Sequence, residues 1–389
     1  MPDSFAKILE ALPHFRATAD SLREVLLANL VMFGEIPSPT FGEQNRIKFL
    51  QQRFAECGLH NCSTDEIGNG FGILRGRTRK KSILLVAHAD TIFPKTMDHN
   101  MELQTDKVVG PGVADNSLGL AMMASLPQLF EQLDIQLDSN LLLMADARSL
   151  GRGDLEGLRF FLKHNKQPIR AGVCLEGVQL GRLSYHSIGM LRCEISCTVP
   201  EEYDWTRFGT TNAIITINDV INRIIEIPLP RRPRSSIVMG SIKGGTSFNT
   251  IATNALLQME IRSESGDLVH EIRQQVEDIV AEASAQSESL VEFDIIAKRE
   301  PGGINFNHPL TNKARQILRA LNIKERVAPS FSELSAFIDS GIPAITLGLS
   351  KGEHLNEIGE TIQIEPMFTG VAQLIGILLA IDGGHCDED

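Results

Sequence analysis

The sequence is poor in the features that would send a chain to a membrane, a nucleic acid or an oxidising compartment. Lys and Arg total 37 against 49 Asp and Glu, a net charge of −12. That shortage of cations disfavours nucleic acid and anionic membrane as partners, because both need a basic face. The one basic cluster, Arg231, Arg232 and Arg234 around Pro233, reads as a solvated turn. No apolar run approaches the ~20 residues of a membrane span. The N-terminal stretch alternates charged and apolar residues and has no signal-peptide core. Six cysteines are present (Cys57, Cys62, Cys174, Cys193, Cys197 and Cys386) but no C-x-x-C pair, and several lie in apolar runs as small hydrophobes. No Gly-x-Ser-x-Gly elbow, internal repeat or low-complexity segment occurs. The expectation is a cytoplasmic protein with no nucleic-acid and no membrane partner.

What is there is a chain of 389 residues, 42% hydrophobic and 22% charged, enough for two ordinary domains with full cores. Residues 1–58 have helical spacing, for example Leu22, Val25, Leu26 and Leu30. Ser82–Ala87, Leu141–Met144 and Gly172–Leu175 are short, continuously apolar runs, the pattern of strands buried on both faces. Helical patterns at 117–133 and 154–164 separate them. This alternation predicts an α/β domain around a mostly parallel central sheet flanked by helices. From Leu191 the grammar changes to β-α-β-β-α-β, the ferredoxin-like order of a small α+β domain. Its two central strands, near 236–243 and 255–262, are joined through Gly244-Gly-Thr-Ser-Phe-Asn249. Helix–strand alternation then resumes, with helices at 309–321 and 366–381 around a strand at 343–348. The expected division is 1–187 and 299–389 for one large domain, with 188–298 inserted as a lid.

Candidate chemistry falls where strands of the large domain end, the usual ligand edge of such sheets. His88 and Asp90 follow the first apolar run at i and i+2, so they share a strand face. They are either a metal-binding histidine oriented by a carboxylate or a surface pair. Asp115 lies in the glycine-rich stretch Gly110-Pro-Gly-Val-Ala-Asp115-Asn116, and is either an aimed carboxylate or a helix N-cap. Glu176 follows its strand directly and is either a ligand or the first exposed residue. His354 follows a further strand and could converge on the same edge. Histidine, aspartate and glutamate together suit zinc.

Taken in order, these segments resemble the di-zinc family of aminoacylases, glutamate carboxypeptidases, succinyl-diaminopimelate desuccinylase, acetylornithine deacetylase and peptidase T. The resemblance runs through His88-Ala-Asp-Thr91, Gly112-Val-Ala-Asp-Asn-Ser-Leu-Gly119, Leu175-Glu-Gly177, Gly244-Gly-Thr-Ser-Phe-Asn249, Glu260-Ile-Arg262, Gly341-Ile-Pro-Ala344 and His354-Leu-Asn-Glu357. It implies a zinc-exopeptidase-like fold with a ferredoxin-like lid that forms a homodimer. It makes His88 and Glu176 ligands of one metal, Asp115 a bridge, His354 a ligand of the second metal, and Asp90 the residue that orients His88. It implies a cis Asp115–Asn116 peptide. Asn249 and Arg262 match positions that hold a substrate carboxylate.

The resemblance also has gaps. The family places two adjacent glutamates, a general base and a metal ligand, after its third strand. Here that stretch reads Met144-Ala-Asp-Ala-Arg-Ser-Leu-Gly-Arg-Gly-Asp-Leu155. Anchored on the glycines, the pair becomes Ser149 and Leu150; anchored on Asp146, it becomes Ala147 and Arg148. A serine holds its proton too tightly to be a base at neutral pH, and leucine cannot ligate a metal. The expectation is one firmly bound zinc and an impaired second site. In the lid, Tyr203 stands where the family often has an oxyanion-binding histidine; it is either a hydrogen-bond donor to the oxyanion or part of a surface loop. Two functions follow: weak or altered hydrolysis of a small peptide or N-acyl amino acid with a free carboxylate, or a silent relative that binds a ligand or protein in the old cleft.

Overall fold

The computed structural model describes residues 4–78, 81–199 and 211–388. It comprises two units, Met1–Ser187 with Gly303–Asp389, and Ile188–Gly302. In chain order the large unit contains helices α1 (Ser4–Ser21), α2 (Arg23–Gly34) and α3 (Gln44–Glu56), then strands β1 (His60–Thr64), β2 (Gly70–Leu74), β3 (Ser82–His88), β4 (Glu102–Leu103) and β5 (Lys107–Val109). After the Asp115 turn come α4 (Leu118–Gln132), β6 (Asn140–Asp146), α5 (Glu156–His164), β7 (Ile169–Val178), β8 (Arg182–Ser184) and β9 (His186–Ser187). The small unit is built from β10 (Gly189–Thr198), α6 (Ala213–Ile225), β11 (Ser235–Gly244), β12 (Asn254–Ser263), α7 (Gly266–Gln286) and β13 (Leu290–Arg299). The chain closes with β14 (Gly302–Gly303), α8 (Pro309–Ala320), β15 (Arg326–Val327), α9 (Leu334–Asp339), β16 (Ala344–Ser350), β17 (Thr361–Gln363) and α10 (Ile364–Asp382). The second boundary between the units falls after Gly302 and not after 298, because β13 continues through Arg299.

The main sheet has the order β1-β2-β6-β3-β7-β16-β8-β15. Its centre, β6-β3-β7-β16, is parallel throughout, with antiparallel β2 on one flank and β8 on the other. Every residue of β3 and of β16 is buried, as strands covered on both faces require. The two faces separate by alternation. Leu84, Val86, Met144, Cys174 and Ala344 pack with Leu155, Leu158, Leu334 and Phe337, so the α5 and α9 regions cover that face. Ile83, Leu85, Leu143, Val173 and Ile345 pack on the other face with residues of α1, α4 and α10. Counting two residues on from Val86, Met144 and Cys174 reaches His88, Asp146 and Glu176 on the first face. An apolar layer thus gives way to one imidazole and two carboxylates at the C-terminal ends of three adjacent strands.

One reading from composition is corrected. α10 is 19 residues long and, over its most apolar window, apolar enough to cross a membrane. Polar Glu365, Pro366 and Gln373 hid it from a search for uninterrupted apolar runs. In the fold 78% of that window is buried inside the protein, as a core helix between α1, α8 and β16. The small unit has the strand order β11-β12-β10-β13, all antiparallel, with Cys193, Ile195 and Cys197 packed against Ile217, Val220, Ile224, Ile272 and Val276 of α6 and α7. This is the predicted ferredoxin-like arrangement.

Candidate metal centre

The Asp115 segment is fixed before its carboxylate can act. Gly112 adopts φ +72, a left-handed conformation that favours glycine, and the chain then turns into α4. The side chain of Asn116 donates from Nδ2 to the carbonyl of Leu175 at 2.7 Å, which ties the segment to β7. A Cβ on Gly177 would lie 2.1 Å from the carbonyl oxygen of Ala114, so only glycine allows this approach. The Asp115–Asn116 peptide is cis. Glu360, fully buried, completes the hold: its Oε1 accepts from the backbone N–H groups of Ala114 (2.6 Å) and Asp115 (2.7 Å), and its Oε2 from that of Asn356 (3.2 Å). We expect Gly177→Ala to separate β7 from this segment and lower zinc affinity at least tenfold, as titration calorimetry would measure; an unchanged affinity would show that the close approach is dispensable.

His88, Asp115 and Glu176 each present a ligand atom within 4.8 Å of the other two. The tautomer of His88 follows from its partners. Nδ1 lies 3.0 Å from the backbone oxygen of Asp90, which can only accept, so Nδ1 carries the proton. Nε2 is then directed at Asp115 Oδ1, 2.9 Å away. Asp90 itself is anchored from behind: its Oδ2 accepts from Thr40 Oγ1 and from the backbone N–H of Leu150, both at 2.8 Å. Asp90 Oδ1 lies 3.3 Å from Nδ1. The histidine is therefore held by Asp90 in the orientation and tautomer that leave Nε2 for a metal.

The electrostatics also favour a cation. Burial penalises a charged His88 ring, yet the hydrogen bond to Asp115 and the proximity of Asp90 outweigh it and hold its pKa well above the usual imidazole value. Burial pushes Glu176 up to about 7; Arg182 opposes this, while Asp115 and Glu333 add to it. Asp146 is fully buried with both carboxylate oxygens unbonded, and burial together with Glu333 raises its pKa well above the carboxylate range. Several acids facing one histidine, with orphaned oxygens among them, fit a divalent ion of nitrogen and oxygen preference. His88, Asp115 and Glu176 are the residues that would hold it.

A pH dependence follows. Zinc needs neutral His88 and ionised Glu176, so protons compete with it. Glu176 is raised to about 7 and His88 is raised well above the usual imidazole value, so protons compete for both ligands at and below about pH 7 and affinity falls as pH drops. We expect the zinc Kd to weaken by about tenfold per pH unit for each proton displaced, between pH 7 and 5.5. Competition with a chromophoric chelator across that range checks this.

The other sequence candidates fare differently. His354 does not join the cluster: its side chain is 59% exposed, it has φ +58, and its Nδ1 lies 3.2 Å from Glu357 Oε2. The loop after β16 carries it outward, although Glu360 binds the same loop at Asn356. Ser149 is buried and donates from Oγ to Glu333 Oε1 at 2.5 Å. Arg148, with φ +56, turns its guanidinium to Glu156, and Ala147 is held at its backbone by Asn69. In the small unit, Arg262 is engaged by Glu260, which also binds Arg192, while Asn249 accepts from Ser247 in an exposed loop. Tyr203 lies outside the described residues. Glu333 and Glu360 were not singled out from sequence. Each is one acid in an unremarkable loop, and only the tertiary fold brings it to the site.

Residues 208–288 match the family model described as the peptidase dimerisation domain of the M20 family. No curated protein matches the chain by sequence. Solved structures share its fold. A tripeptidase from Staphylococcus aureus is 18% identical with a TM-score of 0.72, over 93% of this chain and 99% of its own. A dipeptidase from Saccharomyces cerevisiae is 12% identical with a TM-score of 0.81, over 96% and 99%. A Bacillus subtilis protein described as a dinuclear metal-binding peptidase of the M20 family is 13% identical with a TM-score of 0.63, over 92% and 99%. The chain thus has the fold seen in these peptidase structures, and the family-model match falls within its small unit.

Proposed function

We propose that this protein is a zinc-dependent hydrolase of an amide bond in a small peptide or N-acyl amino acid, working at a reduced or altered rate. The observation that carries the reading is the convergence of His88, Asp115 and Glu176 within 4.8 Å at the C-terminal edge of a parallel sheet. A zinc ion there supplies Lewis-acid polarisation and a water acidified towards neutral pH. The chain's own residues do the rest. Asp90 holds His88, and Glu360 holds the Asp115 backbone. One ion is firmly held. The second position has only Asp115 and His354 as candidate ligands, fewer than the three that zinc sites normally use. Asn249 and Arg262 are the candidate anchors of the substrate carboxylate, and Tyr203 a donor to the oxyanion.

Zinc-loaded protein assayed on a panel of dipeptides and N-acyl amino acids tests this. Turnover above a His88→Ala control supports it; none sinks it. The second reading, a silent relative that binds a ligand or protein in the cleft, is favoured by Ser149 and Leu150 at the missing carboxylate positions and by the outward His354. Ligand binding without turnover on that panel would establish it.

We further propose a cytoplasmic homodimer formed through the small unit. Edge strand β11 exposes Val238 and Ile242, and α6 exposes Ile215 and Ile225, apolar groups that a second copy would cover. Sedimentation at the monomer mass of 42.8 kDa alone would overturn the dimer.

A further inference from the structure

We infer that Glu333, acting through Ser149, is the proton acceptor of the site, supplied from the second segment of the large unit in place of the carboxylate that the loop after β6 lacks. This rests on the hydrolase reading above and deepens it.

Ser149 and Glu333 are 184 residues apart in sequence, yet Ser149 Oγ donates to Glu333 Oε1 at 2.5 Å, and the two residues are only 4% and 1% exposed. Burying a carboxylate is costly unless it is hydrogen-bonded, and Ser149 supplies such a bond. The charge of Glu333 reaches Glu176 and His88, two of the three candidate zinc ligands, and also Asp146 and Cys174. The loop carrying Ser149 is fastened to the site by the next residue, whose backbone N–H binds the Asp90 carboxylate beside His88.

Of the other acids in this stretch, two are engaged by arginines, while Asp146 at the end of β6 is unbonded but pushed well above the carboxylate range by burial. Glu156 binds Arg148, and Asp154 lies 3.5 Å from Arg159. A serine cannot hold an abstracted proton at neutral pH, but it can pass one on when its own proton is already directed at a carboxylate. The attacking water gives one proton to Ser149 Oγ while Ser149 gives its own to Glu333. The water oxygen bonds to the amide carbon. On collapse the C–N bond breaks, and the proton returns from Glu333 through Ser149 to the departing amine.

The test uses proton release, which does not depend on turnover. Zinc-loaded protein is titrated with acetohydroxamic acid in buffers of different ionisation enthalpy. Hydroxamic acid is neutral in solution and binds zinc as its anion, so its proton must go somewhere. In the unmodified protein we expect it to stay on Glu333, with almost no release to buffer. Glu333→Gln keeps an acceptor for Ser149 and the same volume, and is expected to release about one proton per inhibitor with zinc content unchanged. Ser149→Ala should do the same, and Glu333→Asp should retain most of the proton. In the assay panel, Glu333→Gln should lower kcat by about 10²–10⁴. Equal proton release from the unmodified and Glu333→Gln proteins, both zinc-loaded and folded by circular dichroism, overturns the inference alone. A protein that takes up no zinc overturns the hydrolase reading, and this inference with it.

Discussion

His88→Ala is expected to lower bound zinc from about one ion per chain to a trace, because it leaves two protein ligands where zinc sites normally keep at least three. The imidazole is the only nitrogen in the cluster with Asp115 and Glu176, and its Nε2 faces Asp115 at 2.9 Å. The loss has a second component. Without metal, His88 is the positive partner of half-buried Asp115, and removing one member of the pair leaves the other charge uncompensated and destabilises the fold. The metal-free variant should therefore melt at a lower temperature than the metal-free parent, beyond the difference due to zinc. Melting both proteins metal-free separates the loss of the pair from the loss of zinc. Elemental analysis after dialysis gives zinc per chain, and calorimetry gives the melting temperatures. A His88→Ala protein that still holds one equivalent of zinc would place the metal elsewhere.

The fold was legible from sequence where physical patterns were local. Ser82–Ala87 reads as a buried strand because it is continuously apolar and short, and it is the central strand β3. Cys193, Ile195 and Cys197 alternate, and they do face the helices of the small unit. The site was legible where it lies on strand ends: alternation carries Val86 to His88 and Cys174 to Glu176 without reference to any tertiary contact. It was not legible where a partner comes from far along the chain. Nothing near Glu333 signals that it meets Ser149, and nothing near Glu360 signals that it binds the amides of Ala114 and Asp115. His354 shows the converse. A ligand type in the right motif, it sits in a loop whose backbone, with φ +58 at that residue, sends the side chain to solvent. α10 escaped because helical burial tolerates interruptions that a linear search for apolar runs does not.

Restoring the missing carboxylates is the most demanding test, and the Ser149–Glu333 contact dictates its design. Ser149→Glu alone would bring a second carboxylate against Glu333 in a buried position where the present pair is 2.5 Å apart. Two like charges there lack a cation, so this single change is expected to cost several kcal/mol of stability or to force one acid to stay protonated. Exchanging the pair, Ser149→Glu with Glu333→Ser, keeps one carboxylate and one hydroxyl in contact and moves the acid onto the loop after β6. That variant should melt close to the parent. Adding Leu150→Glu supplies a further carboxylate on the loop whose backbone is bonded to Asp90. The triple variant is expected to bind two zinc ions and to raise kcat by about 10²–10⁴ over the parent, since a direct base replaces a relayed one. Elemental analysis and the dipeptide and N-acyl amino acid panel measure both quantities. If zinc stays at one per chain and turnover does not rise while the protein remains folded, the lost pair does not map to Ser149 and Leu150. The alternative positions, Ala147 and Arg148, then become the ones to change, although Arg148 now directs its guanidinium to Glu156.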